Sequence, residues 1–132
     1  MPGSVLDQSD EELNTSENSN KTSIRALVDS SSFSFIEVLR GKHSFGSLMD
    51  SLGYKSVPSK KYPGPEGSRY FSGGDNTARH GSRNGGTISA IQIEAPKPGI
   101  RENQQTWSNF ASALATVVDE YYFRHLGRRI KN

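Results

Sequence analysis

Large apolar side chains are sparse through the first 21 residues. Leu6 and Leu13 are the only ones after Val5, set among Asp7, Asp10, Glu11, Glu12 and small polar residues. Burying so little apolar surface does not offset the entropy of ordering a chain, so residues 1–21 are predicted to be a disordered, solvated lead-in. From Thr22 the pattern turns helical. Ser23 is placed to cap a short helix carrying Ile24, Leu27 and Val28. A second piece carries Phe35, Ile36, Val38 and Leu39 and stops at Gly41. A third starts near Ser44 and presents Phe45, Leu48, Met49 and Leu52 at three-and-four spacing before Gly53.

Residues 57–68, VPSKKYPGPEGS, hold three prolines and two glycines, which forbid regular structure and predict a surface loop. Ile88 to Glu94 is the strongest strand candidate. Ile91 and Ile93 alternate with Ala90, Gln92 and Glu94, and Pro96 and Pro98 end the run. A long helix follows, with Asn103 as its cap and Gly127 as its stop. Trp107, Phe110, Leu114, Val117, Val118, Tyr121, Tyr122 and Leu126 form its apolar stripe. At ~1.5–3 kcal/mol for each large side chain buried, this helix is expected to carry most of the core, aromatic residues included. The predicted fold class is α/β: a small sheet containing residues 88–94 packed under the 103–126 helix. One strand and one striped helix do not close a core alone, so residues 22–127 are expected to be the C-terminal part of a larger domain, with 128–132 as a basic tail.

Composition narrows the function. The formal net charge is +2, too small to argue for nucleic acid, and the basic residues Arg124, Arg128, Arg129 and Lys131 gather at a helix end, where cations are favourable anyway. No cysteine is present, which excludes disulfides and thiolate metal sites. No apolar run approaches the ~20 residues that span a bilayer, so no membrane partner is expected. Asn14 and Asn20 each open an N-x-S/T sequon, which would carry glycan only in a secreted chain.

The chemistry concentrates between Tyr70 and Pro96. Arg79, His80, Gln92 and Glu94 are residue types that grip acidic groups and move protons. They lie near Gly73, Gly74 and Gly81, which let a backbone turn sharply beside a ligand. A carboxylate at the end of a strand is where open α/β sheets place ligands, so Arg79, His80 and Glu94 are expected to converge. The three histidines, His43, His80 and His125, have no partner ligand at usable spacing, and no metal site is predicted for this chain.

Several segments occur in a telling order: SIRAL (Ser23 to Leu27), LRGKHSFGSLMDSLGY (Leu39 to Tyr54), VPS (Val57 to Ser59), YFSGG (Tyr70 to Gly74), NTARHGS (Asn76 to Ser82), AIQIEAP (Ala90 to Pro96) and the helix FASALATVVDEYY. Together they resemble the C-terminal portion of the N-formylglutamate amidohydrolase-like family, over roughly residues 22–126. That family is similar in fold to the zinc carboxypeptidases and the aspartoacylase group. The resemblance implies an α/β/α hydrolase with one zinc ion, which polarises an amide carbonyl and acidifies its bound water. It implies that Glu94 is the catalytic carboxylate and that Arg79, His80 and Gln92 contact a small acidic or N-acyl amino acid substrate. The family's zinc ligands belong to an upstream histidine-and-glutamate motif that nothing here matches. Asp75 stands where an aromatic residue is expected.

Two functional expectations follow. The chain is the C-terminal fragment of a zinc-dependent amidohydrolase-like protein, with zinc in the full-length family and none held by this chain. Alternatively it is a non-catalytic secreted or extracellular-matrix protein keeping a remnant of the fold, a reading that favours secretion over the cytoplasm.

Overall fold

The structure is a computed structural model, and it describes residues 1–83 and 85–130. Among the described residues eight helices follow in chain order: α1 (Gly3–Leu6), α2 (Asp10–Leu13), α3 (Ser16–Asn20), α4 (Arg25–Ser30), α5 (Phe35–Arg40), α6 (Phe45–Ser51), α7 (Asp75–His80) and α8 (Gln104–Leu126). Among the described residues there is no strand and no sheet, only an isolated bridge between Arg83 and Gly85. The α/β expectation is therefore corrected to an all-helical arrangement. Residues 88–96 run without a turn, bend or helix but form no strand, which corrects the strand expected at Ile88 to Glu94. Strand pairing is a property of two segments, and no neighbouring segment offers this one a hydrogen-bonding ladder.

Residues 1–21 differ from the predicted lead-in. Ser9 closes a capping box with Glu12, and Thr15 accepts from the Asn18 N–H, so α2 and α3 are each started by a side chain. Leu6 and Leu13 are fully buried and pack with Phe35 and Ile36 in one apolar cluster, flanked by Val28, Leu39 and Tyr70. Arg40 locks this arrangement. Its buried guanidinium donates to the carbonyls of Leu6 at 2.6 Å, Gln8 at 2.8 Å and Pro63 at 3.2 Å, and pairs with Asp10 at 2.7 Å. The Leu6 and Gln8 carbonyls lie where α1 ends, and the Pro63 carbonyl ties the proline-rich loop to the same guanidinium.

The start predicted near Ser44 and the stops predicted at Gly41 and Gly53 are observed, and Ser34 adds a cap to α5 that was not predicted. Ser34 and Ser44 accept from the N–H groups of Glu37 and Ser47, and Gly53, at φ +88°, ends α6 in the left-handed region that favours glycine. The proline-rich loop is pinned to α6. Ser56 N–H donates to Asp50 at 2.9 Å, Lys60 N–H to Ser47 Oγ at 2.8 Å, and the buried Ser59 hydroxyl also reaches Asp50.

The long helix α8 starts at Asn103, whose side chain accepts from Thr106 N–H, and stops at Gly127 with φ +67°. It packs on α6: Phe45 meets Tyr121 edge-on at 5.7 Å, and Tyr54 meets Phe110 at 5.2 Å. Only Val117, Tyr121 and His125 on α8 are buried. Trp107 remains 54% exposed and Tyr122 43%, which corrects the expectation that the whole stripe is core. The apolar face exceeds what α6 can cover, because the sheet expected beneath it is not there.

Candidate functional site

The first turn of α4 organises the segment that carries the candidate residues. Ser23 was expected to cap this helix, but its hydroxyl donates to the Ala90 carbonyl at 2.7 Å. The capping comes from afar: Ser82 Oγ accepts from Ala26 N–H and Ser89 Oγ from Leu27 N–H, both at 2.9 Å. These satisfy the orphan donors of the first turn. The Ser23 carbonyl accepts from Ser82 N–H and Ala90 N–H, at 3.2 and 2.9 Å. Arg25 adds bonds to the carbonyls of Ser82 and Gly86, both at 2.9 Å. One helix start thus holds the NTARHGS and AIQIE segments side by side.

Within that frame the Gly73–Gly74 turn meets the 88–96 segment. Gly73 adopts φ +95°, a conformation that L side chains rarely adopt. Gly74 N–H donates to Gln92 Oε1 at 2.6 Å, and a Cβ on Gly74 would lie 2.8 Å from that oxygen. Gln92 Nε2 in turn donates to Glu94 Oε1 at 2.6 Å. The chain Gly74–Gln92–Glu94 fixes the orientation of the carboxylate, and it is the arrangement in which the predicted residues do come together. Thr77 Oγ1 ties α7 back to the Gly74 carbonyl at 2.9 Å. Gly81 follows α7, where a Cβ would collide with Ser23.

Gln92 and Glu94 line a cleft of 640 Å³, together with Gly73, Thr77, Tyr70 and the cations Lys55, Arg69 and Arg101. None of these three cations forms an ion pair among the described residues. Lys55 sits 4.4 Å over the Tyr62 ring and Arg69 4.9 Å over Phe71. The cleft therefore holds three basic side chains and one carboxylate. Sequence reasoning missed all three cations, because they come from segments with no shared spacing.

The other expected residues lie elsewhere. Arg79 is exposed and pairs along α7 with Asp75 at 2.7 Å, so the residue noted as a departure from the family pattern is the one that holds the guanidinium. His80 is exposed in the last turn of α7, and neither Arg79 nor His80 lines the cleft. The convergence of Arg79 and His80 with Glu94 is not what the structure shows. Asn14 and Asn20 are both exposed, with Asn14 Oδ1 accepting from Ile36 N–H at 3.4 Å.

The residues do not fit a zinc ion. Among the described residues no group of three or more His, Cys, Asp or Glu side chains could hold a metal. His125 has both ring nitrogens engaged, Nε2 with the His43 carbonyl at 2.9 Å and Nδ1 with Ser31 Oγ at 3.5 Å. Its ring is buried between Phe33 and Tyr121, and desolvation pushes its pKa below the usual histidine value. At the C-terminus, Arg129 pairs with Asp119 and Glu120 and Arg124 with Glu120, which offsets much of the basic cluster; Lys131 lies outside the described residues. No helix among the described residues is long and apolar enough to cross a membrane.

Comparison with known proteins returned nothing to extend this picture: no family model, no curated protein and no solved structure matches the chain.

Proposed function

We propose that this chain is the acid-binding part of an amidohydrolase-like protein acting on N-acyl amino acids, with Glu94 as its proton-transfer group. The observation that supports the reading is the oriented carboxylate: Gly74 N–H holds Gln92, and Gln92 holds one oxygen of Glu94, in a cleft walled by three basic side chains that have no carboxylate partner among the described residues. A carboxylate kept in one orientation suits taking a proton from water and returning it to a leaving amine. The guanidinium of Arg101 or Arg69 suits a substrate carboxylate, which it can grip through two parallel hydrogen bonds.

The non-catalytic reading keeps the same cleft as a binding site, and the engaged nitrogens of His125 favour it for the chain by itself. Titration of the chain with N-acetylglutamate, followed by amide chemical shifts, tests the shared part. We expect shifts centred on Gly74, Gln92 and Arg101, and affinity at least fivefold weaker in Arg101→Gln. Substrate-like ligand that leaves those amides unmoved would overturn the acid-binding assignment. Release of acetate that is lost in Glu94→Gln separates the catalytic reading from the binding one.

A further inference from the structure

The segment Ile88–Pro96 carries an open backbone edge as well as its side chains. At Ala90 both backbone groups are used: N–H donates to the Ser23 carbonyl at 2.9 Å, and the carbonyl accepts from Ser23 Oγ at 2.7 Å. Beyond Ala90 the backbone N–H and C=O groups of Ile91, Gln92, Ile93 and Glu94 make no hydrogen bond among the described residues. In a chain running without turns, successive residues direct their backbone groups to opposite sides. Ala90 faces Ser23, so Ile91 and Ile93 present their donors and acceptors on the edge away from it.

That edge is apolar and flanked by unequal charge. Ile88, Ile91 and Ile93 are 65%, 46% and 44% exposed. Ile88 and Ile91 also border a second cavity, of 470 Å³, walled by Ile24, Leu27, Tyr122 and Leu126. Ile91 and Ile93 also line the cleft, which sets the side chains of Lys55, Arg69 and Arg101 against that of Glu94. Exposed β-branched residues with unpaired backbone groups are a template for another extended chain.

The geometry points to a docking site for an extended acidic polypeptide, which adds to Ile91–Ile93 by backbone hydrogen bonds. Its apolar side chains enter the Ile24–Leu27–Tyr122–Leu126 cavity, and its carboxylates face Arg69 and Arg101. Backbone bonding supplies affinity in this mode and alternate side chains supply selectivity. The site shares Arg69 and Arg101 with the cleft of the hydrolase reading but uses the backbone edge rather than the Glu94 carboxylate, so amide protection at Ile91 and Ile93 tells the two apart.

The test uses a blocked nonapeptide of alternating valine and glutamate, titrated into the full chain. Fluorescence anisotropy reports affinity, and amide hydrogen exchange reports protection at each residue. Exchange at Ile91 and Ile93 is expected to slow at least tenfold at saturation. The valine–lysine analogue should bind at least tenfold more weakly. Ile93→Pro, which removes one edge donor, should lose binding, and the doubly reversed Arg69→Glu, Arg101→Glu chain should lose it independently of any local misfolding at 93. Peptide that binds without protecting Ile91 and Ile93, or a lysine analogue of equal affinity, overturns the proposal. So does concentration-dependent protection of these amides in the free chain, which would assign the edge to a second copy.

Discussion

Replacing Arg40 by methionine asks whether the first 21 residues belong to the folded unit. The guanidinium is 4% exposed and supplies donors to the carbonyls of Leu6, Gln8 and Pro63, besides its pairing with Asp10. Methionine keeps much of the volume but leaves these acceptors without their donor. Each buried acceptor stranded this way costs ~1–3 kcal/mol. The Asp10 side chain is 70% exposed and returns to water readily, so its charge adds little to the loss. Of the three bonds only that to Leu6 is fully buried, so the total lies at the low end of the summed costs, about 3–5 kcal/mol. With a urea slope of ~1–3 kcal/mol per molar, the unfolding midpoint should fall by roughly 2 M. Asp10→Asn, by contrast, should cost about 1 kcal/mol or less. Amide exchange supplies the spatial check: in Arg40→Met, protection should drop first across α1 and α2. A midpoint shift equivalent to less than ~1 kcal/mol, with α1 and α2 still protected, would refute the argument that Arg40 anchors the N-terminal helices.

Other substitutions test separate parts of the molecule. The Tyr121 hydroxyl is buried without a hydrogen-bond partner among the described residues, and burial pushes its pKa up, so Tyr121→Phe should raise stability by about 1 kcal/mol in urea titrations; a loss would mean the hydroxyl is satisfied in solution. Burial depresses the His125 pKa below the ordinary value of ~6.5, so the folded state resists a proton that the unfolded chain accepts. The stability tied to neutral His125 is complete above that ordinary value and is lost as pH falls through the depressed one. His125→Gln should flatten the slope between about pH 7 and pH 5, whereas an unchanged slope would assign the acid sensitivity to other groups. Ser82→Ala and Ser89→Ala each remove a cap of α4 and should each cost ~0.5–2 kcal/mol, measured by chemical denaturation; a neutral Ser82→Ala would show that water replaces the cap.

The sequence by itself determined the elements whose signals are local. Ser34 and Ser44 start α5 and α6, Gly53 ends α6, and Asn103 and Gly127 bracket α8, because caps and left-handed stops act within a few residues. Tertiary structure decided everything that needs a second segment. Whether residues 88–94 pair into a sheet depends on a neighbouring strand, and none is present among the described residues. The anchoring of Leu6 and Leu13 depends on Phe35, Ile36 and an arginine about 30 residues away, which no local composition encodes. Ser82 and Ser89 cap a helix more than 50 residues earlier, where a local rule had pointed to Ser23. The cations of the cleft are separated in the same way. Arg79, adjacent to the glycines in sequence, is held by Asp75 one helical turn before it, whereas Lys55, Arg69 and Arg101 reach the cleft from loops. Local spacing fixes backbone conformation through short-range sterics and hydrogen bonds; which side chains share a cavity is set by packing between segments that the spacing does not relate.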